Sequence, residues 1–146
     1  MSKLQSNLDG ASTATIPNTH GGLKQGLEWL GRWLKGHEVG PEADDKAHLV
    51  FEEIVTNIIR YGFDDNREHP IEVGARMDAD ELTLTFDDDG RPFDPRSAPQ
   101  FVRADALEMA PIGGRGLILV RRAARRLDYK RTEKGRNLLT VTLARG

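Results

Sequence analysis

The segment Glu42 to Tyr61 constrains this chain more than any other stretch, because it reads as a helix that is apolar on several sides at once. Ala47, Leu49, Val50, Phe51, Ile54, Val55, Ile58 and Ile59 spread around a 3.6-residue period, the pattern of a buried helix. Glu53 and Asn57 interrupt it. They stand four residues apart, so they share one helix face, and burying both costs roughly a few kcal/mol unless each finds a partner.

The flanking sequence supplies what such a helix packs against. A chain of 146 residues fits one domain. We expect a flexible segment over residues 1–12 and a single folded unit over 13–146. Ala14 to Ile16 reads as a short strand before Pro17. Leu23, Leu27, Leu30 and Leu34 form a helical stripe with Trp33 beside it, and Gly36 and Gly40-Pro41 punctuate its end. Ile71, Val73 and Ala75 alternate, as do Leu82, Leu84 and Phe86 with Thr83, Thr85 and Asp87, which predicts a β-hairpin. From Asp88 to Pro111 runs an acidic turn and a long connection, with a short helix near Ala104 to Met109. Connections of this length are usually lids or binding loops. Gly113 to Gly116 introduce a third helix with Leu117, Val120, Ala124 and Leu127 on one face. Two strands close the chain, Asp128 to Thr132 and Leu138 to Leu143, joined at Lys134-Gly135. The order α-α-β-β-α-β-β predicts an α/β (α+β) two-layer sandwich, a mostly antiparallel sheet with helices on one face.

A formal net charge of −2 gives no bulk affinity for nucleic acid or an anionic membrane. With no cysteine, disulfides, thiolate metal sites and cysteine nucleophiles are excluded. Met1 to Asn18 lacks the apolar core of a secretory signal, and no apolar run approaches the roughly 20 residues that span a bilayer. The expected location is the cytoplasm. Arg121, Arg122, Arg125 and Arg126 read as the solvated face of the third helix, with a docking surface for an acidic partner as the weaker alternative.

Three constellations carry chemistry. In Glu53-Ile54-Val55-Thr56-Asn57 the plain reading is a hydrogen-bonded polar pair; the functional one is an Asn oxygen on Mg²⁺ beside a Glu that accepts a proton. Asp88-Asp89-Gly90-Arg91-Pro92-Phe93-Asp94-Pro95 is an acidic turn after a strand. A calcium loop fails there, since Thr85 and Arg96 occupy its first and last ligand positions. Read as a nucleotide site, Asp88 accepts from the adenine amino group, where guanine presents an acceptor instead, and Gly90 lets the backbone approach the ligand. Gly113-Gly114-Arg115-Gly116-Leu117 precedes a helix, where free N–H groups suit phosphate. A Walker A loop is absent, for the chain has no Gly-Lys dipeptide.

In this order the three sets resemble the N, G1 and G2 boxes of the GHKL (Bergerat) ATPases. F-E-E-I-V-T-N-I-I-R-Y-G-F and D-D-G-R-P-F-D-P are similar to the boxes of one branch, the RsbW-like anti-sigma-factor serine kinases. Pro92 stands where D-x-G-x-G has its second Gly, and the similarity runs from about Ile16 to Leu143. The resemblance implies an ATP- and Mg²⁺-binding serine/threonine kinase. Glu53 would be the catalytic base and Asn57 the metal ligand. Asp88 and Gly90 would bind adenine, and Gly113, Gly114, Arg115, Gly116 and Leu117 would form the lid hinge and phosphate contacts. Thr140 matches a polar position near adenine. Tyr61 stands where relatives often have His, and Arg103 and Arg115 are the two candidates for the γ-phosphate. Implied partners are a STAS-domain anti-anti-sigma protein and a sigma factor, and a homodimer is expected.

Two rival readings remain at this level. One is an ATP-gated anti-sigma or adaptor module without transferase activity. The other is a histidine-kinase catalytic domain working in trans, disfavoured because none of the four His lies in a dimerising H-box helix.

Overall fold

The computed structural model describes residues 5–6, 11–97 and 112–146. Its elements are β1 (Gln5–Ser6), β2 (Ala11–Pro17), α1 (His20–Lys35), α2 (Pro41–Tyr61), β3 (Pro70–Met77), β4 (Glu81–Asp88), a 3₁₀ turn (Pro95–Ser97), α3 (Ile112–Ala123), β5 (Arg126–Arg131) and β6 (Asn137–Ala144). The strands form one antiparallel sheet in the order β1-β2-β3-β4-β6-β5. Helices cover one of its faces, giving the expected two-layer sandwich.

Period-two alternation decides which residues meet the helices. Ala14 and Ile16 of β2, Ile71, Val73, Ala75 and Met77 of β3, Leu82, Leu84 and Phe86 of β4, and Leu139, Val141 and Leu143 of β6 are all buried. They meet Val50, Phe51, Ile54 and Val55 of α2 in one core. The helix that looked apolar nearly all round lies between α1 and α3 and above β4 and β6, which accounts for its composition.

Helix α1 starts at Thr19, whose Oγ1 accepts from Gly22 N at 3.0 Å, a side-chain cap. Its buried face differs from the leucine stripe. Gly22, Gly26, Trp29, Leu30, Trp33 and Leu34 are buried, whereas Leu23 and Leu27 are only partly so. Glycine carries no hydropathy signal, yet Gly26 lets α1 close on α2: a Cβ there would fall 2.6 Å from the Phe51 ring. Trp29 Nε1 donates to Ser12 Oγ at 3.1 Å, which satisfies a hydroxyl buried in β2.

Several boundaries move. β2 begins at Ala11, so Ala11 and Ser12 belong to the sheet rather than to a loose segment, and β2 pairs with β3 from Ala11↔Arg76 to Pro17↔Pro70. α3 starts at Ile112, which puts Gly113, Gly114 and Gly116 inside the helix instead of in a loop before it. It ends at Ala123, so Arg125 and Arg126 are not on its face. Both pair with Glu81, at 3.3 and 2.9 Å, and pin β5 to the start of β4. The expected short helix at 104–109, the lid residues Ala98 to Pro111 and Arg103 lie outside the described residues. Among the described residues, no helix is long and apolar enough to cross a membrane.

Candidate functional site

At the C-terminal end of α2, between that helix and the sheet, a cleft opens. Ile54, Ile58, Phe86, Leu117 and Leu139 give it apolar walls, and Asn57, Asp88, Arg91 and Asn137 supply polar groups. Tyr61 and Phe93, the exposed large hydrophobics of the described residues, stand at this same cleft.

Asp88 is the fourth inward position of β4, after Leu82, Leu84 and Phe86. Alternation thus drives a carboxylate into the core side of the sheet, where it is 4% exposed. Its Oδ1 accepts from Gly90 N at 2.8 Å and from Asn137 Nδ2 at 3.2 Å. Oδ2 takes part in neither bond. Since no enclosed side-chain polar atom among the described residues lacks a partner, Oδ2 is open to the cleft. Burial pushes the Asp88 carboxyl above its ordinary range; the bonds from Gly90 and Asn137 pull it back, and Asp87 and Asp89 add to the rise.

Gly90 is needed for space. A Cβ there would lie 2.7 Å from Gly62 O, at the C-terminus of α2. Arg91 N donates to that same carbonyl at 2.9 Å, so the turn after β4 is clamped to the end of the long helix.

Asn57 is buried, and its Nδ2 donates to Glu53 O at 2.7 Å. A backbone carbonyl only accepts, so this bond fixes which end of the carboxamide is nitrogen. The oxygen is left as the group a cation could use. Among the described residues no three His, Cys, Asp or Glu side chains converge to hold a metal ion. A cation here could take Asn57 Oδ1 together with phosphate and water oxygens, a set that suits Mg²⁺.

Glu53 lies one turn earlier on α2, and its carboxyl is raised by desolvation first and by Glu52 second, with Arg60 opposing. Gly116 of α3 makes room for it, because a Cβ at 116 would collide with that carboxylate. The first and third constellations thus meet in space. The second joins them through the cleft, which Asn57, Asp88 and Leu117 all line. Gly116→Ala should raise α3 stability slightly through helix propensity, roughly 1 kcal/mol. The flexible Glu53 side chain would swing away to admit the methyl group. An unchanged or higher melting temperature with an altered Glu53 environment is the expected outcome, read by calorimetry and carboxylate NMR.

Thr140 is not brought to the site. It alternates with Leu139 and Val141, which face the core, and it pairs with Thr85 and Asp128 across the outer rows. The residue that β6 does send into the cleft is Asn137, directly opposite Asp88 in the register. Parity makes it inward-facing, two positions before Leu139, because β6 begins at Asn137 and not at the expected Leu138. The side chain of Arg115 lies outside what is described.

The sheet order, the single helical layer and the three boxes around one cleft define a GHKL-type domain. The chain belongs to the histidine kinase-like ATPase domain family, whose profile matches residues 16–143. The serine/threonine-protein kinase BtrW of Bordetella bronchiseptica is 33% identical over 94 residues, 64% of this chain and 66% of that protein. The match thus spans just under two thirds of that relative, and it agrees with the RsbW-like resemblance. Among solved structures, the SiaB–SiaC complex from Pseudomonas aeruginosa is similar with a TM-score of 0.57 and 12% identity, over 97% of this chain and 91% of that chain. At that identity the likeness shows the fold.

Proposed function

We propose that this domain binds Mg·ATP in the cleft and transfers the γ-phosphoryl group to a Ser or Thr hydroxyl of a STAS-type anti-anti-sigma partner, acting as an anti-sigma regulatory kinase. One observation carries the reading. A buried carboxylate, Asp88, presents a free oxygen to an apolar-walled cleft that also bears Asn57, one turn from Glu53. A flat heterocycle with an exocyclic amino group fits such walls and such an acceptor, which supports adenine over guanine. The name of the related BtrW kinase supports the transferase reading.

In this reading Asp88 and Gly90 hold the base, Leu117 covers it, and the N–H groups at the start of α3, with Gly113, Gly114 and Arg115, face the phosphates. Asn57 Oδ1 would hold Mg²⁺, which when bound neutralises phosphate charge. Glu53 accepts the proton of the incoming hydroxyl as its oxygen bonds to the γ-phosphorus. The bond from that phosphorus to the bridging oxygen breaks, and ADP leaves.

Incubation with Mg·[γ-³²P]ATP and candidate STAS proteins tests the proposal. Label on a partner Ser or Thr is the expected result, and Asn57→Ala should lose nucleotide affinity and transfer together, about tenfold or more in each. Nucleotide-dependent partner binding without label would replace the kinase by an adaptor. ATP affinity untouched in Asn57→Ala would remove the metal-ligand role.

A further inference from the structure

Asn137 is buried with both ends of its carboxamide engaged. Its Nδ2 faces Asp88 Oδ1 at 3.2 Å, Gly90 O at 3.3 Å and Arg91 O at 2.9 Å. Its Oδ1 accepts from Tyr129 Oη at 2.5 Å and Arg131 Nη1 at 3.1 Å. Arg131 Nη1 also donates to Gly90 O at 2.8 Å.

A carboxamide is nearly symmetric in shape, so its neighbours decide which end is the donor. Arg131 offers only hydrogens on one side, where the Tyr129 hydroxyl also donates, and Gly90 O and Arg91 O offer only lone pairs on the other. The nitrogen is therefore compelled to face Asp88. We propose that Asn137, held in this orientation by Tyr129 and Arg131 of β5, is the positioning residue that fixes Asp88 as an acceptor toward the nucleotide and so sets the preference for adenine over guanine. This rests on the nucleotide reading above.

The physical logic runs through the two oxygens of Asp88. With Gly90 N–H and Asn137 N–H both on Oδ1, that atom is occupied and Oδ2 is aimed at the cleft. Hydrogen bonds to the charged form favour an acceptor carboxylate. Without Asn137 the carboxylate can rotate, and its protonated form can donate to the guanine carbonyl. Discrimination is lost through the freed Asp88 carboxyl.

Calorimetric titration with ATP and with GTP, on wild type, Asn137→Leu and Tyr129→Phe, tests this, with melting curves as a folding check. A ligand preference is a readout that a merely structural role leaves in place. Wild type should favour ATP. Asn137→Leu should lower ATP affinity about 10–100-fold, the scale of one hydrogen bond to a charged group, and lower GTP affinity far less. Tyr129→Phe should shift the ratio in the same direction by about 2–10-fold, the scale of a neutral bond. A folded Asn137→Leu protein with the wild-type ATP/GTP ratio overturns the proposal. If that variant does not fold, Tyr129→Phe at the wild-type ratio overturns it instead. A wild type that binds ATP and GTP equally removes the adenine reading itself, and this inference with it.

Discussion

Asp88→Asn is expected to stabilise the free protein at neutral pH while costing it ATP, two effects of opposite sign from one atom. The carboxyl is raised in the folded state, chiefly by burial. For an acid with a raised folded pKa, the penalty on the native state appears as pH climbs through the ordinary carboxylate range. It is complete above the raised value and absent well below the ordinary one. Asn at 88 carries no charge to desolvate, and its oxygen can still accept from Gly90 N and Asn137 Nδ2. The variant should therefore melt higher than wild type at pH 7, and the difference should shrink as the pH falls below about 4. The nitrogen that replaces Oδ2 would point a donor at the donor amino group of adenine. A buried polar mismatch of this kind typically costs roughly 10²-fold or more in affinity. Calorimetry and thermal melting at two pH values read both halves. A variant that melts lower at neutral pH would mean that the carboxylate is needed for the turn, and undiminished ATP affinity would detach Asp88 from the base.

A buried carboxylate that interrupts an apolar run is what makes the candidate site legible. A run of inward-facing Leu82, Leu84 and Phe86 should continue with an apolar side chain, and Asp88 breaks the pattern at the position nearest the cleft. Glu53 and Asn57 break the pattern of α2 in the same way. Violations of a local rule were thus visible in the sequence. The α/β class was equally visible, because alternation in β3, β4 and β6 and the apolar surround of α2 leave few layer arrangements.

The positions that the sequence does not mark have physical causes too. Asn137 obeys the alternation of β6, but a polar residue two places after Gly135 reads as part of the turn, which hides its inward position. Thr140 matches the family's polar position only by likeness, and one step of parity from Leu139 puts it on the far face. The glycines at 113, 114 and 116 disfavour a helix by roughly 1 kcal/mol each, which argues for a loop. Tertiary packing overrides that preference, because Gly116 is where α3 passes the Glu53 carboxylate. In α1 the contact face runs through Gly22 and Gly26, which no hydropathy pattern records.

The largest kinetic effect expected belongs to Glu53. Its side chain is partly buried, on the same face of α2 as Asn57, and against Gly116. Desolvation and the neighbouring Glu52 raise its carboxyl, while Arg60 holds it down. A raised carboxylate is a stronger base toward a hydroxyl. In the kinase reading Glu53 would act at the γ end, one turn of α2 from Asn57. Glu53→Gln keeps the size and the backbone carbonyl that Asn57 Nδ2 uses, and removes only the proton acceptor. ATP affinity should stay within a few-fold of wild type, whereas transfer to the partner should fall about 10²–10⁴-fold, the usual loss for a general base. The residual rate should also lose its dependence on pH in the acid range, since the group that had to deprotonate is gone. Single-turnover phosphorylation across pH, with nucleotide affinity measured in parallel, separates the two quantities. A Glu53→Gln protein that transfers phosphate at the wild-type rate leaves Glu53 a structural partner of Gly116. If both transfer and ATP affinity collapse together, its carboxylate holds the Mg·ATP complex in place of acting as the base.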